Sequence, residues 1–377
     1  MIEKYKFAFS IILYNATKLT QATERMVKAV QCQGKEVLLR TAEDDKNNFS
    51  FLNVMDRVDQ FPDEYEEDKQ FKEEVLYLTS HDNIRIGFTL LFAVKEMLRC
   101  CGQELFDGTF TIKQNEGSLA ELKFNDDKVD IRNAKIDRIA RILYEKSELK
   151  EIKGWRDEKY AVYVHGSPYV LVERAMAGVL GIVTYGIHVN GYLIDTKTNE
   201  IKFWIPRRSA TKPTWPLMLD NIIAGGIGYP HGINDTVIKE SMEEANLSKT
   251  DIERRIRAAG VLSYFYFPQR FDQVNFDSES AYIVGEVEYI FDLALSEDVV
   301  PKPNDGEVDS FNLLTLQETI DAIARKEFKP NCALVMTDFL IRHGYITSEN
   351  EPNFLELVNR MHRKLPFPQP NFYGHKS

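Results

Sequence analysis

Apolar positions change period several times along this chain, and the changes mark out its elements. FSFLNVMDRVDQFP (49–62) spaces Phe51, Val54, Met55 and Val58 three and four apart, which is one face of a helix. The acidic run 63–68 then reads as a loop or a solvated helix start. IRIGFTL (84–90) predicts a strand, and LLFAVKEMLRC after it a helix. TFTIKQNEGSLAELKF (109–124) predicts strand, turn and strand, and IDRIARILYEK (136–146) an amphipathic helix. Three strand candidates follow, YAVYVH, GIVTYGIHVNGYLI and KFWIP, the last two joined as a hairpin with 195–200 as its turn. LSYFYFPQRF and the alternating AYIVGEVEYIFDLAL predict more strands. TLQETIDAIARKEF and NCALVMTDFLIRHG predict helices, and the proline-rich tail PFPQPNFYGHKS reads as loose.

This order predicts an α/β (α+β) protein, a mixed sheet between helices preceded by a smaller mixed unit. Residues 1–46 read as a lead-in, 47–175 as the N-terminal mixed domain, 176–346 as the main domain and 347–377 as a C-terminal extension. No internal repeat or low-complexity segment interrupts it.

Composition narrows the function classes. The 377 residues are 44% hydrophobic and 28% charged, the balance of a soluble globular protein. A formal charge of −11 argues against a nucleic-acid partner, although a local basic cluster can still hold a small anion. Cys32, Cys100, Cys101 and Cys332 form no CxxC pair, which suits a reducing intracellular compartment. No apolar run reaches the roughly 18 residues of a membrane span. MIEKYKFAFSIILYN lacks the arginines of a transit peptide and a clear cleavage site, so the expected location is cytoplasmic, with an organelle as the alternative.

The chemistry concentrates in residues 225–247, GGIGYPHGINDTVIKESMEEANL. At about 100° per residue, Glu240, Glu243 and Glu244 share one helix face, with Ile238, Met242 and Ala245 expected opposite and buried. Such a charge cluster repels itself unless a cation is present, and hard divalent ions such as Mg²⁺ prefer carboxylates and bridge to substrate phosphates. Gly225, Gly226 and Gly228 allow close backbone approach. Together they read as a metal-assisted phosphate site. For the carboxylates alone, the alternative is a solvated acidic face.

The stretch resembles the Nudix box: Gly, five residues, Glu, seven residues, Arg-Glu, an apolar residue, any residue, Glu-Glu, any residue, Gly and an apolar residue. Gly225, Glu240, Glu243, Glu244 and Leu247 match. His231 stands in place of the first Glu, Lys239 of Arg, Ser241 of the apolar residue and Asn246 of Gly. Asn246 is a mild departure, since Asn suits a left-handed helix end next best after Gly. Ser241 falls at the border of the two faces. His231 and Lys239 lose the pairing that braces the loop in Nudix proteins, so that brace is lost or replaced. FWIPRRSATKPTWPLMLDNIIAGG ahead of the box is similar to the thiamine-pyrophosphokinase-related Nudix hydrolases of fungi and plants. Further matching segments, among them ERAMAGVLGIVTYGIHVNGYL, PNDGEVDSF and FKPNCALVMTDFLIRHGYI, extend the resemblance over roughly residues 50–370.

The resemblance implies a Nudix α/β/α sandwich and a metal-dependent hydrolase. Its substrates would be diphosphates of damaged thiamine, such as the oxo- and oxy-thiamine forms, cleaved to monophosphates. Glu240, Glu243 and Glu244 would hold Mg²⁺ or Mn²⁺, one of them also deprotonating or orienting the attacking water, and Gly226 would offer a carbonyl. Glu307 in PNDGEV would be a further ligand or general base, or else structural, with Glu286 and Glu288 as rivals on one face of a strand. Arg207, Arg208 and Lys212 would contact phosphate, with only one arginine facing the site because strand neighbours point oppositely. Trp215, Trp204 and Tyr185 are candidates to stack a heteroaromatic ring, with core packing as the alternative for each. His188 and His231 read as structural. The first domain is expected to form part of the pocket wall and to set which head group enters. The partner is a small-molecule diphosphate, and the resemblance leaves room for a homodimer. A Nudix hydrolase of another nucleoside-diphosphate-linked substrate, and a weakly catalytic binding module, remain alternatives.

Overall fold

The computed structural model describes residues 27–114, 118–212, 214–267 and 282–371. Residues 28–39 form an unpredicted hairpin, β1 (Lys28–Cys32) and β2 (Lys35–Leu39). Its turn uses Gln33 and Gly34, both at positive φ. Its strands alternate weakly and bury little, so the pattern is hard to read from sequence.

The first unit is built on β3 (Val75–Thr79), β4 (Arg85–Leu90), β5 (Phe110–Lys113) and β6 (Ala120–Phe124). Their sheet order is β4-β3-β6-β5, with β3 and β6 parallel. Strand, turn and strand over 109–124 is as predicted, residues 115–117 lying outside the described residues. Helices Leu91–Cys101 and Val129–Lys146 also fall where the periodicity places them. A second hairpin, β7 (Lys159–Val164) and β8 (Ser167–Glu173), leads to the larger sheet.

That sheet contains β9 (Val183–Ile194), β10 (Ile201–Arg208), β11 (Ile223–Gly226), β12 (Ile256–Tyr266), β13 (Val284–Ala294) and β14 (Val308–Thr315). Its path is β12-β13-β9-β10-β14, with β11 also paired to β9. All pairings are antiparallel except β13 with β9. The β9–β10 hairpin is as predicted. β14 was not, because VDSFNLLT places polar residues on a half-exposed edge and lacks clean alternation.

Two apolar cores lie against the sheet. One joins the first unit to Ile187 and Val189 of β9 and Phe291 of β13. The other packs Phe203, Tyr264 and Ile290 against helices Leu316–Ala324 and Pro330–Arg342. Packing crosses the predicted boundaries. Phe51, Val54, Met55 and Val58 belong to the second core, and Leu365 and Phe367 of the tail are buried in the first, so the tail is not loose there. Arg363 fastens it, donating to Asp59 (2.7 Å), to Asp63 (2.9 Å) and to the Phe61 carbonyl (2.9 Å). Among the described residues no helix is long and apolar enough to cross a membrane.

Candidate active site

Pairing of β11 with β9 sets Gly226 opposite Gly186, and the polypeptide then turns through 227–232 into helix Ile233–Ala245. The helix buries Thr236, Val237, Ser241, Glu244 and Ala245, while Met242 is 48% exposed. Ala245 is buried as expected and Ile238 packs partly against the core, but Met242 is exposed and Glu244 takes the buried side instead. The helix packs against β11 and β9 with Ser241 and Glu244 both on its buried side, the Ser241 hydroxyl donating to the Val237 carbonyl (2.6 Å). Asn246 ends the helix in the left-handed conformation (φ 50°), as its place in the box suggests.

Two glycines are demanded by neighbouring side chains. A Cβ on Gly225 would lie 2.6 Å from Cγ of Glu240, and one on Gly226 would lie 1.9 Å from the Tyr160 hydroxyl. Because Tyr160 is buried, it has little room to yield. Gly226→Ala should therefore cost about 1–3 kcal/mol of stability in denaturant titration, partly recovered by adding Tyr160→Phe. An unchanged midpoint would show that the loop relaxes freely.

The three predicted glutamates all line the same cleft. Lys239 Nζ lies 2.9 Å from Glu240 Oε1 and 3.1 Å from Glu243 Oε2, while Glu244 Oε2 accepts from the Ala224 amide (3.0 Å). His231 is exposed, and its amide donates to the Gly228 carbonyl (2.8 Å). The brace is thus replaced by pairing within the helix. Burial raises the Glu240 carboxyl above its ordinary value, although Lys239 opposes the shift. Glu244 is raised well above its ordinary value, first by burial and then by Glu240 and Asp220.

Strand β13 presents Glu286 and Glu288 to the same cleft, as the alternation requires. Tyr264 donates to Glu286. His188 is buried, bonds Asn221 through Nδ1 (2.7 Å) and lies 3.6 Å from Glu288 through Nε2. Burial alone would lower the His188 imidazole, but Glu288 reverses that and raises it well above its ordinary value.

The remaining predicted residues divide. Arg208 lines the cleft and Arg207 does not, as the strand alternation requires. Arg208 nevertheless spends its guanidinium on the loop, donating to Asp220 (2.6 Å), the Thr214 carbonyl (2.9 Å) and the Trp215 carbonyl (3.0 Å). Arg207 donates to the Leu217 carbonyl (2.7 Å). Trp215 and Trp204 are also absent from the cleft lining, whereas Tyr185 is present. The Trp215 backbone is pinned by Arg208, and Trp204 sits in β10 opposite Leu313. Lys212 lines the cleft and bonds Glu307, which β14 brings beside the end of β10. Burial would raise Glu307, but Lys212, Arg156 and Arg174 outweigh it and hold the carboxyl below its ordinary value.

The whole is an open cleft of ≈ 590 Å³. The first unit contributes Arg156, Glu158, Lys159, Tyr160 and Arg174 to its wall, none of them singled out from sequence. The dense charge of WRDEKY just ahead of β7 was the available signal.

No three acidic, histidine or cysteine side chains among the described residues already converge as a metal cluster. The donor chemistry still fits a hard divalent cation. Glu240, Glu243, Glu244 and Glu288 all line the cleft, and Glu288 Oε2 is buried with no hydrogen-bond partner.

Residues 100–184 match a domain of unknown function (DUF4743), a span that includes the β7–β8 hairpin. The chain is 61% identical over 339 residues to the uncharacterized protein YJR142W of Saccharomyces cerevisiae, covering 90% of this chain and 98% of that protein. It is 36% identical over 271 residues to Nudix hydrolase 20, chloroplastic, of Arabidopsis thaliana, covering 69% of this chain and 67% of the relative. Identity is again 36%, over 261 residues, to Nudix hydrolase 24, chloroplastic, of the same plant, covering 68% of this chain and 66% of the relative.

Proposed function

The chain belongs to the Nudix hydrolase family, and from that premise we propose that it hydrolyses thiamine-type diphosphates, oxidised or damaged forms before thiamine diphosphate itself, to the monophosphate and phosphate. The observation that carries a diphosphate hydrolase is the cleft itself, whose lining combines Glu240, Glu243 and Glu244 of one helix with the cations Arg156, Arg174 and Lys212. The thiamine head group is supported by the sequence resemblance over roughly residues 50–370. It is also supported by the cleft's Tyr160, Tyr185 and Tyr229 beside Asp157 and Glu158, a setting that suits a flat cationic ring.

Glu240, Glu243 and Glu244, with the Gly226 carbonyl, would hold Mg²⁺ or Mn²⁺. The ion would neutralise the diphosphate and make a bound water more acidic. One of these three glutamates would also orient or deprotonate the attacking water. Glu307 would be a weak base, because Lys212 and the nearby arginines hold its carboxyl below its ordinary value, and it would instead orient Lys212 for phosphate. Lys212 would bind a phosphate oxygen as a point charge. Arg208 shapes the loop that carries Lys212.

A pH prediction follows from the raised carboxyls. A group raised in the native state stabilises the protein below its unfolded pKa, and that contribution is lost as pH rises through the folded value. Without metal the thermal midpoint should fall from about pH 4.5 upward, and Mg²⁺ or Mn²⁺ should restore it increasingly at higher pH. Differential scanning fluorimetry in EDTA and in Mg²⁺ checks this; a metal effect independent of pH would count against these carboxylates as ligands.

The substrate assignment is tested by phosphate release from oxythiamine diphosphate, thiamine diphosphate, ADP-ribose and a dinucleoside polyphosphate, the last two after phosphatase treatment of products. The oxidised thiamine form should be turned over fastest. Preference for either nucleotide would replace the thiamine reading.

A further inference from the structure

We propose that the N-terminal unit completes the diphosphate site, with Arg156 binding a phosphate oxygen pair beside Lys212. This rests on the diphosphatase reading and assigns a part of the site outside the box and its flanking strand.

The β7–β8 hairpin is keyed to the glycine strand and its loop. The Tyr229 amide donates to the Lys159 carbonyl (2.7 Å), and Tyr160 covers Gly226. The backbone at Arg156 is fixed by its amide, which donates to the buried Glu173 (2.9 Å). Its side chain is 37% exposed and reaches into the cleft. There the guanidinium lies 3.7 Å from Glu307 Oε1, beyond hydrogen-bond length, while Lys212 bonds the other oxygen of the same carboxylate. One acid thus gathers two cations in the cleft that Glu240, Glu243 and Glu244 also line. A diphosphate joined at one end to a cation on those glutamates meets this pair at the other. A guanidinium fork matches two phosphate oxygens where an ammonium offers one point charge. By contrast Arg174 pairs with Glu158 (2.9 Å) and orders the hairpin.

The test is calorimetric titration of the full chain with methylenediphosphonate in Mg²⁺, a probe whose P–C–P link resists hydrolysis. Arg156→Ala should weaken binding by about tenfold or more, and Arg156→Lys should recover part of the loss. Arg207→Ala, whose side chain faces the Leu217 carbonyl, should bind like the wild type. The thermal midpoint of Arg156→Ala should be unchanged, which separates lost binding from lost fold. Wild-type binding with an equal affinity for Arg156→Ala would overturn this inference and leave the diphosphatase reading standing. No binding by the wild type would overturn both.

Discussion

Glu244→Gln is expected to lower turnover by about 10²–10⁴-fold while making the metal-free protein more stable at neutral pH. The two effects have one cause. Glu244 is 8% exposed, and both burial and its acidic neighbours oppose its ionised form. A neutral amide keeps the shape and an oxygen for the Ala224 amide, and it removes the buried charge. It also removes a ligand charge and a proton acceptor. A residue kept only for packing would give neither the loss of rate nor the gain in midpoint. Steady-state kinetics and thermal denaturation in EDTA measure both. Loss of activity with loss of stability would indicate a structural role instead.

Arg363→Ala should be the most destabilising exchange away from the cleft, at about 3–5 kcal/mol. Asp59 is buried, and its second oxygen already has no partner among the described residues. Removing Arg363 strands this carboxylate and releases the Asp63 and Phe61 contacts that hold the tail against the body. Chemical denaturation measures the cost. Arg363→Ala combined with Asp59→Asn should recover much of it, because the penalty lies in the unpaired charge. A loss below about 1 kcal/mol would show that water reaches Asp59.

What was legible in the sequence follows from how each element earns its stability. The helix Val129–Lys146 and strands β9 and β13 have one apolar rhythm each, so periodicity finds them. The β1–β2 hairpin and β14 are short or half-exposed and take their order from turns and from partners distant in sequence. In the site, spacing placed Glu240, Glu243 and Glu244 on one helix and let only one of Arg207 and Arg208 face the cleft, whose lining holds the three glutamates and Arg208. Spacing missed that Met242 is exposed and Glu244 buried, since that depends on how the helix sits on the sheet. It also missed Arg156, Tyr160 and Arg174, because they enter the cleft through tertiary packing of a hairpin with no motif. Trp215 read as a candidate stacking platform or as core packing, and it lies outside the cleft lining on a loop whose backbone Arg208 holds, a three-dimensional cause that composition does not carry.

The most direct measurement of the central claim is orthophosphate release from oxythiamine diphosphate by the wild type and Glu243→Gln, in Mg²⁺ and in EDTA. A cation-dependent diphosphatase predicts release by the wild type in Mg²⁺, its disappearance in EDTA and its severe loss in the variant. Release that persists in EDTA, or that is undiminished in Glu243→Gln, would contradict the account.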